Sequence, residues 1–167
     1  MVISIRDVRP DEIPWVRKVN NDATPAVNHL EAAEMDQLYR QAARLRVAEL
    51  DAQPVGFLLA LTADADYQSI NYQWFRSQYD QFVYIDRVVI APGFRRLGVG
   101  RVLYADIQSF AELTAPLLTC EVNIKPPNPG SVRFHAAWGF HEVGKQDTES
   151  GSKTVSLLAM PIPAYEG

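Results

Sequence analysis

The chain is predicted to be one α/β layered domain spanning residues 1–167, and three observations predict it. At 167 residues with 47% hydrophobic content, it is long enough to bury a substantial single core. Strand-like and helix-like periodicities follow one another in the order β-α-α-β-β-β-α-β-α-β-β, with no linker, low-complexity stretch or internal repeat between them. Finally, an apolar strand pattern beginning at Tyr84 runs into a glycine-containing turn and then into a helix with an apolar stripe.

Taken in order, Val2–Val8 alternates as a strand and stops before Pro10. Asp11–Asn20 reads as a helix with Ile13, Val16 and Val19 inward, and Glu31–Ala43 is helical by propensity with Met35, Leu38 and Ala42 facing together. Leu45–Leu50 and Val55–Thr62 are strands joined by the hairpin-like turn Asp51-Ala52-Gln53-Pro54. The connection Ala63–Gln81 is long and aromatic, and two readings of it stand. One is a lid whose Tyr67, Tyr72, Trp74, Phe75 and Tyr79 line a pocket for an amine. The other is a helix over Ile70–Tyr79 that buries Trp74 and Phe75 and leaves Tyr72 and Tyr79 at the rim.

Phe82–Ile90 is the next strand. Val99, Leu103, Ile107 and Phe110 then give a helix its inward stripe, limited by Pro116. Leu117–Ile124 is a strand, and Asn128 is a plausible N-cap with Pro129 at the first helical position. Phe134 and Trp138 share one face of that helix, and Gly139 closes it before strand Phe140–Gly144. Val155–Met160 forms the last strand, expected to expose an edge through which a second copy could pair as a homodimer.

A net charge of −4 argues against nucleic acid as the main partner. The single cysteine, Cys120, excludes an intramolecular disulfide and is expected to be buried in its strand. No apolar run approaches membrane-spanning length and no charged-then-apolar leader opens the chain, so no membrane partner and a cytoplasmic location are expected. His29 and His141 carry no motif, and no cluster of His, Cys and carboxylates suggests a metal site.

The turn Arg95-Arg96-Leu97-Gly98-Val99-Gly100 carries the chemistry. At such a helix start, backbone N–H groups lack intrahelical partners and the dipole adds partial positive charge. Glycines 98 and 100 remove the side chains that would hold a phosphate away, and Arg95, Arg96 and Arg101 add fixed charge. A P-loop is excluded, because no Lys-Ser or Lys-Thr follows the glycines and Lys153-Thr154 lies elsewhere. A dinucleotide fingerprint is excluded because its third glycine position holds Leu103 and no acidic residue is in register.

The remaining pattern, Arg-x-x-Gly-x-Gly, with the run Asp86-Arg87-Val88-Val89-Ile90-Ala91-Pro92 before it, resembles motif A of the GNAT superfamily of acetyl-CoA-dependent N-acetyltransferases. Downstream, Glu121-Val122, then Asn128-Pro129-Gly130-Ser131, then Phe134-His135 and Gly139-Phe140 resemble that family's second conserved segment, in the expected order. The resemblance covers roughly residues 84–144. Two departures stand out: His135 occupies the family's tyrosine position, and Pro126-Pro127 stiffens a lengthened loop.

The resemblance implies a mixed, mostly antiparallel central sheet with helices on both faces. It implies acetyl-CoA as cosubstrate, held by the backbone around Val88, Val89 and Ile90, by the turn from Arg95 and Arg96 through Leu97, Gly98, Val99 and Gly100 to Arg101, and by Asn128 and Ser131. The acceptor it implies is a primary amine of a small metabolite, an amino acid or a protein terminus. Glu121 is the nominated base; the bland reading pairs it with Arg87 or another cation. His135 is the nominated proton donor to the departing thiolate; the bland reading makes it a packing or capping residue. Two other functions remain open: an acyl-CoA-binding sensor without catalysis, and a transferase for longer acyl chains.

Overall fold

A computed structural model describes all residues from Met1 to Gly167. Hydrogen bonding orders seven strands as β1-β2-β3-β4-β5-β7-β6, mostly antiparallel, with five α-helices in the chain. The chain forms two compact units, Met1–Ala65 with Ile85–Phe110, and Asp66–Tyr84 with Ala111–Gly167.

In the first unit, β1 (Ile3–Asp7) pairs antiparallel with β2 (Arg44–Leu50), which pairs with β3 (Gln53–Thr62). The hairpin between β2 and β3 is tighter than predicted. Asp51 and Ala52 alone make the turn, at φ +49° and +69°, the left-handed pair whose twist suits a two-residue hairpin. β3 is a continuous apolar run, with Val55 and Phe57 through Leu61 fully buried. Helix α1 (Ile13–Asp22) turns Val16 and Val19 inward while Ile13 is half-buried, and α2 (Ala32–Gln41) turns in Met35 and Leu38.

Ion pairs brace this unit. Arg6 reaches both oxygens of Glu12 at 2.8 Å and Glu49 at 3.0 Å, and its hydrogen bond holds the Glu12 carboxyl down at about 2. Arg46 grips both oxygens of Asp106 at 2.9 Å. Asp106 lies on α4 (Val99–Glu112), whose Val99, Leu103 and Ile107 are buried as the stripe predicts. Phe110 departs from that stripe. It is half-buried, with the Arg44 guanidinium 4.2 Å above its ring, so the charge covers what the core does not.

The second unit resolves the aromatic connection in favour of a helix, α3 (Ile70–Gln78). Its inward residues are Tyr72 and Phe75, both fully buried, rather than Trp74 and Phe75. Spacing explains the correction, since residues three apart share a helix face and adjacent ones do not. Tyr72 is thus a core residue, 5.4 Å from the Tyr84 ring and 5.8 Å from Phe82, not a rim residue. Trp74 is half-buried, and its indole lies so close to Gly144 that an added Cβ would come within 2.6 Å.

β5 (Leu117–Lys125) runs parallel to the start of β4 (Val83–Ile90), with Tyr84 opposite Thr119. β7 (Lys153–Pro161) pairs antiparallel with β5 on one side and with β6 (His141–Thr148) on the other. The predicted free edge at Val155–Met160 is therefore corrected: β7 is interior, and β6 covers it. All six of those residues are buried, as a run apolar but for Ser156 should be on a strand with two neighbours, and the Ser156 hydroxyl donates to Glu142 on β6. β6 carries the exposed polar alternation instead.

Candidate active site

Predicted functional residues lie in both units. In the first, β4 leads through Ala91 into the loop before α4. The strand is seated against β3: a Cβ on Gly56 would lie 2.8 Å from the Val89 carbonyl oxygen, and Ala91 N donates to Val55 O at 2.7 Å. Val89 is buried, and Val88 and Ile90 are half-buried.

The loop then turns with Arg96 at φ +63° and Gly98 at φ +89°. For arginine that conformation is uncommon, and such strain clusters where a loop's shape serves a ligand. Gly98 needs its conformation. Gly100 does not, because it has no positive φ, and a Cβ there would meet nothing within 4 Å. Neither backbone shape nor packing within the chain requires glycine at 100. A group approaching from outside would require it, as a diphosphate resting on main-chain amides does. Arg95, Arg96 and Leu97 are exposed on this loop, and Arg101 is exposed on the first turn of α4. A diphosphate therefore fits the residues present in both charge and space.

Behind the strand, Arg87 donates to Asp86 at 2.7 Å and to the Asn20 amide oxygen at 3.0 Å, with Asn20 fully buried. Asn20 in turn donates to Asn28 O at 2.9 Å, and Asn21 bonds Leu30 through both its N–H and its carbonyl. This fastens the segment between α1 and α2.

In the second unit, Glu121 lies mid-strand on β5 and is half-buried. Its carboxylate is held by side chains from two other elements. The Tyr84 hydroxyl lies 2.8 Å from both oxygens, and Asn71 Nδ2 donates to Oε1 at 3.2 Å. Asn71 is itself oriented by Gln146 Nε2, which donates to its Oδ1 at 2.8 Å. The neighbouring Cys120 projects to the other face of β5, is buried as predicted, and has its thiol pushed up by burial.

Helix α5 (Pro129–Trp138) starts as the sequence indicates: Asn128 Oδ1 accepts from Ser131 N at 3.3 Å, with Pro129 first in the helix. Gly139 closes it at φ +125°, and Phe134 stacks on Trp138 at 5.8 Å. His135 is 6% exposed, edge-on to Phe140 at 5.3 Å, with Nδ1 2.7 Å from the Ser131 carbonyl oxygen. A carbonyl can only accept, so Nδ1 carries the proton and Nε2 of the neutral ring is unprotonated. Burial lowers the His135 pKa, which the bond to Ser131 only partly offsets. At neutral pH the ring is uncharged, and its N–H is directed into its own helix.

Residues 9–140 match the model of the acetyltransferase (GNAT) family. The chain belongs to that family. No curated relative matches the sequence. Among solved structures, it is similar to Ard1 from Thermoplasma volcanium, 19% identical over 97% of this chain and 99% of that one, with a TM-score of 0.75. It is similar to the ribosomal-protein-S18-alanine N-acetyltransferase from Escherichia coli, 15% identical over 96% and 94%, with a TM-score of 0.70. It is also similar to Arabidopsis thaliana Naa50, solved in complex with the bisubstrate analogue CoA-Ac-MVNAL, 14% identical over 95% and 98%, with a TM-score of 0.70. At these identities the likeness establishes the GNAT fold.

Three functional candidates of this GNAT acetyltransferase escaped the sequence reading: Tyr84, Asn71 and Gln146. Tyr84 left a signal, because a tyrosine inside a buried apolar strand must find a partner for its hydroxyl. Asn71 and Gln146 left none, since polar residues on a helix and an outer strand are ordinary.

Proposed function

We propose that this chain transfers the acetyl group of acetyl-CoA to an α-amino group, with Glu121 as the general base. The observation that carries the proposal is the Glu121 carboxylate, held mid-strand and half-buried by a buried tyrosine hydroxyl 2.8 Å from each oxygen. A carboxylate fixed by hydrogen-bond donors is oriented yet still able to accept a proton.

The cofactor's thioester supplies an activated acetyl carbon. Around it the chain's residues perform three tasks. The loop Arg95 to Arg101 holds the diphosphate through main-chain amides, and Asn128 and Ser131 serve the pantetheine arm. Backbone N–H groups at Val88 or Val89 polarise the carbonyl as it becomes tetrahedral. Glu121 takes the amine's proton while the new N–C bond forms and the C–S bond breaks. The sulfur departs as a thiolate whose thiol has an ordinary pKa of about 8.5, so it leaves readily without a proton. His135 serves as a donor only in its cationic form, which burial pushes to lower pH.

Proton affinity favours an α-amino acceptor over a lysine side chain. An α-ammonium, at about 7.7–8.0, lies roughly 3.5 units above an ordinary glutamate, whereas a lysine ammonium at about 10.4 lies about 6 units above it. The smaller gap suits a carboxylate base. The Escherichia coli relative's name, an S18-alanine N-acetyltransferase, is consistent with an acceptor of this kind.

The test combines calorimetric titration of CoA with thiol release from acetyl-CoA in the presence of short peptides bearing free N-termini. Binding and turnover are expected. Gly100→Ala should weaken CoA binding while leaving the melting temperature unchanged or higher, because an added Cβ meets nothing in the chain within 4 Å and alanine is the better helix former. Absence of CoA binding in the parent would end the proposal. Binding without release across the peptides would end the base assignment and the α-amino acceptor.

A further inference from the structure

We infer that Asn71 and Gln146 form a relay that sets the orientation and proton affinity of the Glu121 carboxylate, making both of them positioning residues. This rests on Glu121 being the base. Direction is fixed by hydrogen-bond chemistry. An ionised carboxylate only accepts, so the group Asn71 turns to Glu121 Oε1 at 3.2 Å is its NH2, and its carbonyl must face away. The Gln146 amide meets that carbonyl with Nε2 at 2.8 Å. An asparagine amide can rotate by half a turn at little cost unless something distinguishes its two ends. Gln146 supplies the distinction, since a reversed Asn71 would set NH2 against NH2 and oxygen against carboxylate.

The relay spans three elements, with Gln146 on β6, Asn71 on α3 and Glu121 on β5, and all three side chains are half-buried. Partial burial keeps the hydrogen bonds from being lost to water while leaving the carboxylate accessible. Its own strand and two neighbouring strands also place groups at Glu121. β4 presents the Tyr84 phenol, β7 places Leu157 in register with Glu121, and Cys120 adjoins it on β5 as a thiol raised by burial and by the Glu121 charge. Tyr84 donates to both oxygens alike and does not distinguish them. Asn71 donates to Oε1 and so distinguishes the two oxygens.

The experiment needs no acceptor substrate. In protein labelled with 13C-glutamate, the Glu121 carboxylate resonance is assigned by its loss in Glu121→Gln and titrated by NMR. Removing a donor to the charged form makes the proton bind more tightly. Asn71→Leu should therefore move the midpoint up by roughly half to one pH unit. Gln146→Glu should move it up as well, because a carboxylate at 146 attracts the NH2 of Asn71 and turns its oxygen toward Glu121. In the double variant, the Gln146→Glu effect should shrink to what the added negative charge gives through space, since no amide remains to be turned. Gln146→Leu, the mildest change, should give a smaller rise.

An unchanged midpoint in folded Asn71→Leu, or strict additivity in the double variant, would overturn the relay. If Asn71→Leu fails to fold, a flat response to both Gln146 variants overturns it equally. Failure of the base assignment looks different: Glu121→Gln would keep its turnover even though the midpoints move.

Discussion

Glu121 at the middle of β5 and His135 on α5 are the two side chains to which motif position gives acid–base work, and the fold holds them in opposite ways. Glu121 is fixed by Tyr84 and Asn71, 37 and 50 residues away in sequence, both presenting donors to its charged form. His135 is fixed by a carbonyl four residues back on its own helix and by aromatic edges, an environment that favours its neutral form. Donors gathered from distant elements stabilise charge and leave an acceptor ready for use. A helix carbonyl and a ring edge stabilise a packed, uncharged imidazole. If Glu121 is the base as proposed, the comparison separates a carboxylate held by donors from an imidazole packed in its neutral form, although both sit at motif positions.

The largest effect that would break this contrast is in Glu121→Gln. Turnover should fall by about 10²- to 10⁴-fold, the usual range for a lost general base, with CoA affinity changed less than threefold. Turnover within tenfold of the parent would put Glu121 in the same structural class as His135.

Next in size is Tyr84→Phe, which removes the shared donor and should lower turnover about tenfold at a stability cost of about 1 kcal/mol. A larger loss than in Glu121→Gln would move the reaction's proton chemistry onto the tyrosine.

The smallest effects concern His135→Phe, where turnover at pH 8 should stay within about threefold. Stability carries the sharper signal. The folded His135 binds its proton less readily than the unfolded chain, whose value is near 6.5. Protonation therefore favours unfolding, and stability complete above pH 6.5 declines as the pH falls through the interval below it. Glu12, lowered to about 2 from 4.5, loses its contribution only below about pH 4.5, outside the range of the urea test. Urea midpoints at pH 7.5 and 5.0 should differ in the parent and converge in His135→Phe. An equal pH response in both would show that His135 is not buried neutral.

Much of the fold was legible because it is written in local periodicity. The buried stripe of α4, the continuous run of β3, the Asn128 cap and the Gly139 stop all depend on neighbours within a few residues. Errors arose where a partner decides the outcome. Val155–Met160 looked like a free edge because nothing in a strand's own sequence says whether β6 will lie beside it. Tyr72 was expected at the rim of the aromatic connection, whereas its ring packs on those of Phe82 and Tyr84. Phe110 looked like core until Arg44 was found above it.

By itself, the sequence determined the family, the strand–turn–helix junction with its glycines, and the positions of Glu121 and His135. These are properties of spacing along one chain, fixed by backbone geometry at a helix start and at a strand. Only the tertiary structure decided that Glu121 meets Tyr84 and Asn71 while His135 turns its proton into its own helix. The first outcome depends on which donors distant strands and helices bring within about 3 Å, and the second on burial of the ring against Phe140, which keeps it neutral beside its own helix's carbonyl.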